Sequence, residues 1–375
     1  GCLASGHLAP GASPVSRPLT IAIDARELAG RPTGVGTYVA GVLRVWAEST
    51  FPHRLQLLSH APMADDTVPP ALGADVRVEP AAVGGTWWEQ TVLPRLVRES
   101  GADVLLAPAY TAPLRLGTPT VLIVHDVSFF AQPSGYRWRE GLRRRVITRA
   151  SARRARRVLT DSAFSAREIV RYLGVAPERV TVAAQGAPAW TGDAHATSPH
   201  VLSVGTLFNR RHVPELLEAF ASVLARVPDA TLTIVGQNQT QPPIDPLALA
   251  AALGIGNRVR WRPYVSTVEL DDLYRSARAF AFLSDYEGFG MTPMEAAARG
   301  VPSVVLDTEV AREVYGAGAL RVPLAVPAIA DALCTLLTDD QVHADTCALA
   351  RERLAAFPWA RTAEIVRAAL EQAAS

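Results

Sequence analysis

Thirteen short runs of apolar and β-branched residues, most of them followed by a stretch with helical spacing, dominate this chain. A strand reaches a parallel neighbour only through a crossover, so strand-then-helix alternation is the signature of parallel sheets covered by helices. The first seven runs lie near Leu19 to Ala25, Arg54 to Ser59, Asp75 to Glu79, Asp103 to Ala107, Thr120 to His125, Arg157 to Asp161 and Val180 to Ala183. Between Ala187 and Pro199 the periodicity stops, and Pro, Gly, Thr, Asp and Ser crowd together as in a linker. The rhythm resumes at Val201 to Gly205, Thr231 to Gly236, Arg258 to Pro263, Ala279 to Ser284, Ser303 to Leu306 and Ala319 to Val322. An α/β protein with two doubly wound domains is expected. Its parts are a flexible tail over 1–17, a first domain over 18–190, a second over 200–355, and a closing helix over 356–375.

Composition bounds what such a chain can do. With 375 residues, 49% of them hydrophobic, there is core enough for two ordinary domains. A net charge of +1 argues against bulk nucleic-acid binding, which needs a strongly basic face. All 37 basic residues are arginine. Cys2, Cys334 and Cys347 make neither a Cys-x-x-Cys pair nor a disulfide framework, so a reducing cytoplasm is the expected setting. Apolar runs are strand-sized, too short to span a bilayer, and residues 1–17 lack the pattern of a signal peptide.

The stretch Ser284 to Leu306 carries the most chemistry. A buried strand leads through Asp285-Tyr-Glu-Gly-Phe-Gly-Met291 into a helix expected over Pro293 to Arg299, with Glu287 and Glu295 eight positions apart. Gly288 and Gly290 allow close backbone approach, and amides at a helix start attract phosphate. Carboxylates accept hydrogen bonds from sugar hydroxyls, so Glu287 on the loop suits a hexose and Glu295 suits a ribose. Thr292-Pro-Met-Glu295 equally fits a capping box, in which Glu295 serves only its own helix. Asp285-Tyr-Glu287 imitates an Asp-x-Asp metal motif, but its glycine-rich strand-to-helix setting favours a solvated or sugar-binding role, and no metal is assigned.

Glu287, Gly288, Phe289, Gly290, Glu295, Ala296, Gly300 and Pro302 together resemble the Glu-x7-Glu segment of glycosyltransferase family four, and the resemblance extends from about Ile21 to Leu370. It implies the GT-B fold: two Rossmann-like domains facing across a cleft, with a C-terminal helix crossing back to the first. It also implies metal-independent transfer of a sugar from a nucleoside diphosphate with retained configuration, and no cofactor beyond that co-substrate. On this likeness Gly288, Phe289, Gly290, Met291 and Glu295 hold the donor and Glu287 orients the hexose.

Three further segments match the resemblance. Gly34-Val-Gly36-Thr37 follows the first strand and precedes a helix expected from Tyr38 to Ala47; the matching family loop touches the donor diphosphate, whereas a plain turn would need its glycines only for positive φ. Thr120 to Asp126 is a buried strand ending in two polar residues, and the family's histidine here reaches the transferred sugar, a role that falls to His125 while Asp126 fixes the loop. Thr206-Leu-Phe-Asn-Arg-Arg-His212 resembles the family's glycine followed by Arg-Lys-Asn, so Arg210 and Arg211 are the expected anchors of the leaving diphosphate. His212 departs from the usual asparagine. Leu159 to Ser165 and Val182 to Gly186 resemble family stretches near the cleft, with Ala163 and Gln185 unlike the usual residues.

The reaction expected is hexosyl transfer to a saccharide or lipid-linked saccharide hydroxyl, by a covalent carboxylate intermediate or by same-face attack assisted by the leaving phosphate. GDP-mannose is the leading donor, because GVGTY, WWEQ, HDVSFF and NRRH together resemble mannosyl and related transferases of bacterial polysaccharide assembly. A silent nucleotide-sugar-binding subunit and a sugar-nucleotide epimerase are the alternatives. Ten arginines between Arg137 and Arg157, interleaved with Leu142, Val146 and Ile147, form a basic stretch that suits either solvent or the anionic inner face of a membrane.

Overall fold

The structure, a computed structural model, describes residues 17–30, 34–64, 67–80, 85–136, 138–192 and 198–375. The expected tail up to residue 16, Arg137 and residues 193–197 of the expected linker lie outside them. Two compact units emerge, one from residues 17–130, 141–186 and 358–375, the other from 131–140 and 187–357.

The first unit holds a seven-stranded parallel sheet of β1 (Thr20–Asp24), β2 (Arg54–Ser59), β3 (Asp75–Val78), β4 (Val104–Ala107), β5 (Thr120–Ile123), β6 (Arg157–Thr160) and β7 (Val180–Val182). Their order is β3-β2-β1-β4-β5-β6-β7. Side chains alternate across the sheet. Ile21 and Ile23 enter a layer with Tyr38, Leu43 and Val121, while Ala22 enters the opposite layer with Leu58, Trp88 and Leu93. Both faces of the central strands are therefore covered, which is why β1, β4 and β5 read as apolar runs, whereas the edge strand β3, Asp-Val-Arg-Val, is exposed.

The helix Trp359–Ala374 belongs to this unit although it ends the chain. Val366, Ala369, Leu370 and Ala373 at its helical spacing are buried in the layer of Ile21 and Tyr38. Trp46 Nε1 donates to the Ala363 carbonyl at 3.2 Å and Thr362 Oγ1 to that of Ala184 at 2.6 Å. The Trp359 ring lies where only glycine leaves space: a Cβ on Gly41 or Gly186 would come within 2.4 and 2.2 Å of it.

The second unit holds β8 (His200–Val204), β9 (Thr231–Val235), β10 (Val259–Arg262), β11 (Ala279–Phe282), β12 (Ser303–Leu306) and β13 (Leu320–Val322), ordered β10-β9-β8-β11-β12-β13 and parallel throughout. Val201, Ile234, Ala281 and Val304 pack against Leu216, Phe220 and Leu333 of the covering helices. In each sheet the order reverses at one place, between β1 and β4 and between β8 and β11. Ligands of open α/β sheets bind outside the carboxyl ends of the strands at such reversals.

Two helices start earlier than their sequences suggest. Gly34 and Gly36 open the helix Gly34–Glu48 instead of preceding it, and the helix after β11 runs Met291–Ala298. Its N-cap is Gly290, with no side-chain cap, so the capping box expected of Thr292 and Glu295 does not form.

Candidate active site

β8 and β11 are hydrogen-bonded neighbours, with Val201 opposite Ala279, so the loops that leave their carboxyl ends emerge side by side. The β8 loop turns at Gly205, whose φ is +133°, and a Cβ there would stand 2.6 Å from Arg211 Nη1. The missing side chain is thus the space the guanidinium occupies. Arg211 lies over the Phe282 ring and Arg210 over the Phe208 ring, each at 4.3 Å, a stacking that suits a flat, weakly hydrated cation.

Glu287, on the β11 loop, meets both arginines. Its Oε1 accepts from Ser284 Oγ at 2.7 Å and lies 3.1 Å from Arg211 Nη2 and 3.8 Å from Arg210 Nε. These side chains are largely withdrawn from water, at 14% exposure for Glu287, 16% for Arg211 and 11% for Arg210. Burial lowers the pKa of Arg211, Glu287 opposes that, and adjacent Arg210 adds to it. Glu287 thus faces two guanidinium charges, of which Arg210 also interacts with Asp285. Arg211 Nε is buried and has no hydrogen-bond partner among the described residues, so a donor stands ready for an acceptor.

Gly290 completes the loop. Its φ is +83°, and a Cβ would fall 2.0 Å from the Tyr315 hydroxyl, which donates to the carbonyls of Gly290 at 2.8 Å and Phe289 at 3.2 Å. No sequence pattern pointed to Tyr315. Its anchoring of those carbonyls fixes the approach to the helix Met291–Ala298, whose first amides have no partner inside the helix.

Of the residues expected at the donor site, Glu287, Gly288, Phe289, Gly290, Met291, Arg210 and Arg211 are grouped at these two loops. Glu295 is half-buried: its Oε2 accepts from the Tyr274 hydroxyl at 3.0 Å, and burial raises its pKa against the pull of Tyr274 and Arg299. Asp285 and Glu287 take different hydrogen-bond partners and share the charge of Arg210. Asp285 accepts from His212 Nε2 at 3.0 Å and from Gln132 Nε2 at 2.8 Å.

In the first unit, His125 follows β5 and is buried with both ring nitrogens engaged. Nδ1 lies 2.8 Å from Asp161 Oδ2 and Nε2 lies 3.1 Å from the Pro108 carbonyl. A carbonyl only accepts, so Nε2 carries a hydrogen, and the carboxylate draws a second to Nδ1. Burial alone would lower the pKa, but Asp161 outweighs it and the pKa is raised. The Tyr38 ring meets His125 edge-on at 5.4 Å, which places the first turns of Gly34–Glu48 beside it at one edge of the sheet. Asp126 fixes its loop, accepting from the Ser128 amide at 2.7 Å.

WWEQ serves the fold of the first unit. Glu89 Oε2 takes Arg26 at 2.7 Å and Thr111 at 2.6 Å, Arg26 also grips buried Asp24, and Gln90 Oε1 accepts from the Leu114 amide at 2.9 Å. The basic stretch becomes the helix Trp138–Arg154, and several arginines hold it down: Arg145 donates to the Phe129 carbonyl, Arg149 to Tyr172 and Arg153 to Leu173.

Comparison with known proteins agrees with this architecture. The model for glycosyltransferase family 4 matches residues 32–188 and that for glycosyl transferases group 1 matches residues 192–353. O-antigen chain mannosyltransferase B of Escherichia coli is 28% identical over 274 residues, covering 67% of this chain and 70% of that protein. The D-inositol 3-phosphate glycosyltransferase of Nocardia farcinica is 30% identical over 230 residues, 56% of this chain and 51% of the relative. Mannosylfructose-phosphate synthase of Agrobacterium fabrum is 34% identical over 111 residues, 28% of this chain and 24% of the relative, so the chain spans only part of these proteins. Among solved structures, Anabaena HepE in complex with UDP and glucose superposes with a TM-score of 0.72 at 19% identity, covering 94% of this chain and 100% of that one. Sucrose-phosphate synthase from Thermosynechococcus elongatus does so at 0.73 and 17%, covering 94% and 98%. Adjacent family matches that take in most of the chain, on two parallel Rossmann-like units of the GT-B kind, establish that it belongs to the group 1 glycosyltransferases.

Proposed function

We propose that this protein transfers a hexosyl group from a nucleoside diphosphate sugar to a hydroxyl of a saccharide or lipid-linked saccharide, retaining the anomeric configuration and without a metal ion. The observation that carries the reading is the pair Arg210 and Arg211 stacked beside Glu287, under a glycine-capped helix start. As the bond to the sugar breaks, negative charge gathers on the departing diphosphate. Two fixed guanidiniums and the amides after Gly290 meet that charge without reorganisation, which is the largest electrostatic economy an active site has. Gly34 and Gly36 are further proposed donor contacts. Glu287 and His125 orient the hexose, and Glu295, steadied by Tyr274, accepts from the ribose.

GDP-mannose is the proposed donor, supported by relatives named for mannosyl transfer. The UDP complex belongs to a neighbour of shared fold. Thermal shifts of the purified chain with GDP, UDP and dTDP test the base, and release of nucleoside diphosphate from the sugar nucleotide tests transfer. Stabilisation by GDP with diphosphate release is expected. Stabilisation without release, with or without acceptor, would mark a binding subunit instead.

A cytoplasmic enzyme resting on an anionic membrane fits the acceptor class. No described helix is long and apolar enough to cross a membrane. On Trp138–Arg154, however, Trp138, Leu142 and Val146 follow one another at four-residue spacing and are 70%, 49% and 60% exposed. Among the described residues, no arginine from Arg139 to Arg157 has a carboxylate within ion-pair distance. Apolar side chains amid uncompensated cations suit lipid headgroups. Co-sedimentation with phosphatidylglycerol vesicles, lost in Arg139→Glu/Arg143→Glu and absent with phosphatidylcholine alone, is the expected outcome.

A further inference from the structure

His212 occupies a position the reaction does not obviously require. It caps the helix Val213–Leu224 with φ +47°, in the left-handed region that L side chains seldom enter. Asparagine, usual in the resembled family at this place, and histidine are among the few side chains that tolerate it. What histidine adds is a second ring nitrogen and a proton that titrates near neutrality.

Both nitrogens face carboxylates. Nε2 lies 3.0 Å from Asp285 Oδ2 on the β11 loop, and Nδ1 lies 3.4 Å from Glu215 Oε1 one turn into the helix. Only the imidazolium donates to both. Asp285 is further bound to the β8 loop, its amide donating to the Arg210 carbonyl at 3.1 Å. Its remaining charged or polar neighbours are the Arg210 guanidinium and Gln132 Nε2. The His212 ring thus adds a third tie between the loop that carries Glu287 and the loop that carries Arg210 and Arg211, beside the Asp285 amide and the Glu287–Arg211 pair, and of the three it is the one that depends on a proton near neutrality.

We propose that His212 is a positioning residue, a proton-held staple whose charged form sets the two donor loops in register and makes sugar-nucleotide affinity depend on pH. The inference rests on the transferase reading given above. When the ring is neutral it keeps one hydrogen and must turn a lone pair toward a carboxylate, so one link is lost and the other is left beside an uncompensated anion. Burial opposes the charged ring, but Asp285 and then Glu215 more than offset it, in keeping with this geometry. The staple is complete below the ordinary imidazole value of about 6.5 and opens as pH rises through the raised folded value.

Two measurements on the whole chain test this. Ring resonances of His212, assigned by their loss in His212→Asn, should titrate above about 6.5 and move down in Asp285→Asn. Calorimetric binding of GDP-mannose and UDP-glucose, whose diphosphates hold their charge across the range, is then followed from about pH 6 to about pH 9. Affinity for the accepted donor should weaken about tenfold, the equivalent of one charge-assisted hydrogen bond, and His212→Asn should make the slope clearly shallower, the remainder belonging to His125, while keeping a side chain suited to the backbone. A ring that titrates at or below about 6.5, or a slope as steep in His212→Asn as in the parent chain, overturns the staple and leaves the transferase intact. Failure of both sugar nucleotides to bind at any pH removes the transferase reading, and the staple's role with it.

Discussion

At 3.1 Å from Arg211 and 2.7 Å from Ser284, Glu287 is held in place by its own neighbours. Preorganisation of this kind has a measurable side effect, since a largely buried cation depends on its carboxylate. Glu287→Gln should lower the stability of the ligand-free protein by about 1–3 kcal/mol, because Arg211 is left short of charge. It should also lower turnover by about 100-fold or more while donor affinity is held or improved, the freed guanidinium being available to diphosphate. Initial rates and ligand-free unfolding report both, and an unchanged turnover number would remove Glu287 from catalysis. His125 makes a second prediction at this scale. Its raised pKa means that the pair with Asp161 adds its full stability below about 6.5 and loses it as pH climbs through the folded value. The destabilisation caused by Asp161→Asn should then be larger at about pH 6 than at about pH 9 in urea unfolding. Equal effects at both would mean that His125 is neutral throughout.

Between elements, the tightest fit is Trp359 against Gly41 and Gly186. Gly41→Ala puts a methyl into the indole and should cost about 1–3 kcal/mol, most of it recovered in Gly41→Ala/Trp359→Ala relative to Trp359→Ala alone. Additive losses in that cycle would show that the clash is with something else. The strands were legible because burial on both faces leaves a run such as Val121, Leu122 and Ile123 no polar interruption. Helix starts were less so. Glycine is costly inside a helix and useful before one, so Gly34 and Gly36 read as a turn although the helix includes them. The direction of Glu295 was not readable at all: it depends on Tyr274, brought by another helix, which local spacing does not reveal. Asp161 beside His125 and Tyr315 beneath Gly290 are partners of the same long-range kind, while Arg210, Arg211 and Glu287, which the structure groups, were singled out by their likeness to family motifs that follow recognisable strands.

Over the whole molecule, the two units are built from the chain unequally. The second is nearly continuous, from Ala187 to Phe357 with one short addition, whereas the first is completed only by residues 358–375. Those last residues are not an appendage to its core, since Ala363, Val366, Ala369, Leu370 and Ala373 are all buried in the layer that contains Ile21, Tyr38 and Val121. Removing the helix uncovers that layer, and at about 25 cal/mol per Å2 of apolar surface the loss is comparable to the net stability of an ordinary domain. The second unit loses no core residue by the same cut. A chain ended at Phe357 should therefore unfold in two steps in urea, the first unit far earlier than in the full chain and the second at its former midpoint. Nucleotide should still raise the second midpoint, because Arg210, Arg211 and the Gly290 loop all belong to that unit. If both midpoints fell together, the two units would share a single cooperative core, and the assignment of the final helix to the first unit alone would be wrong.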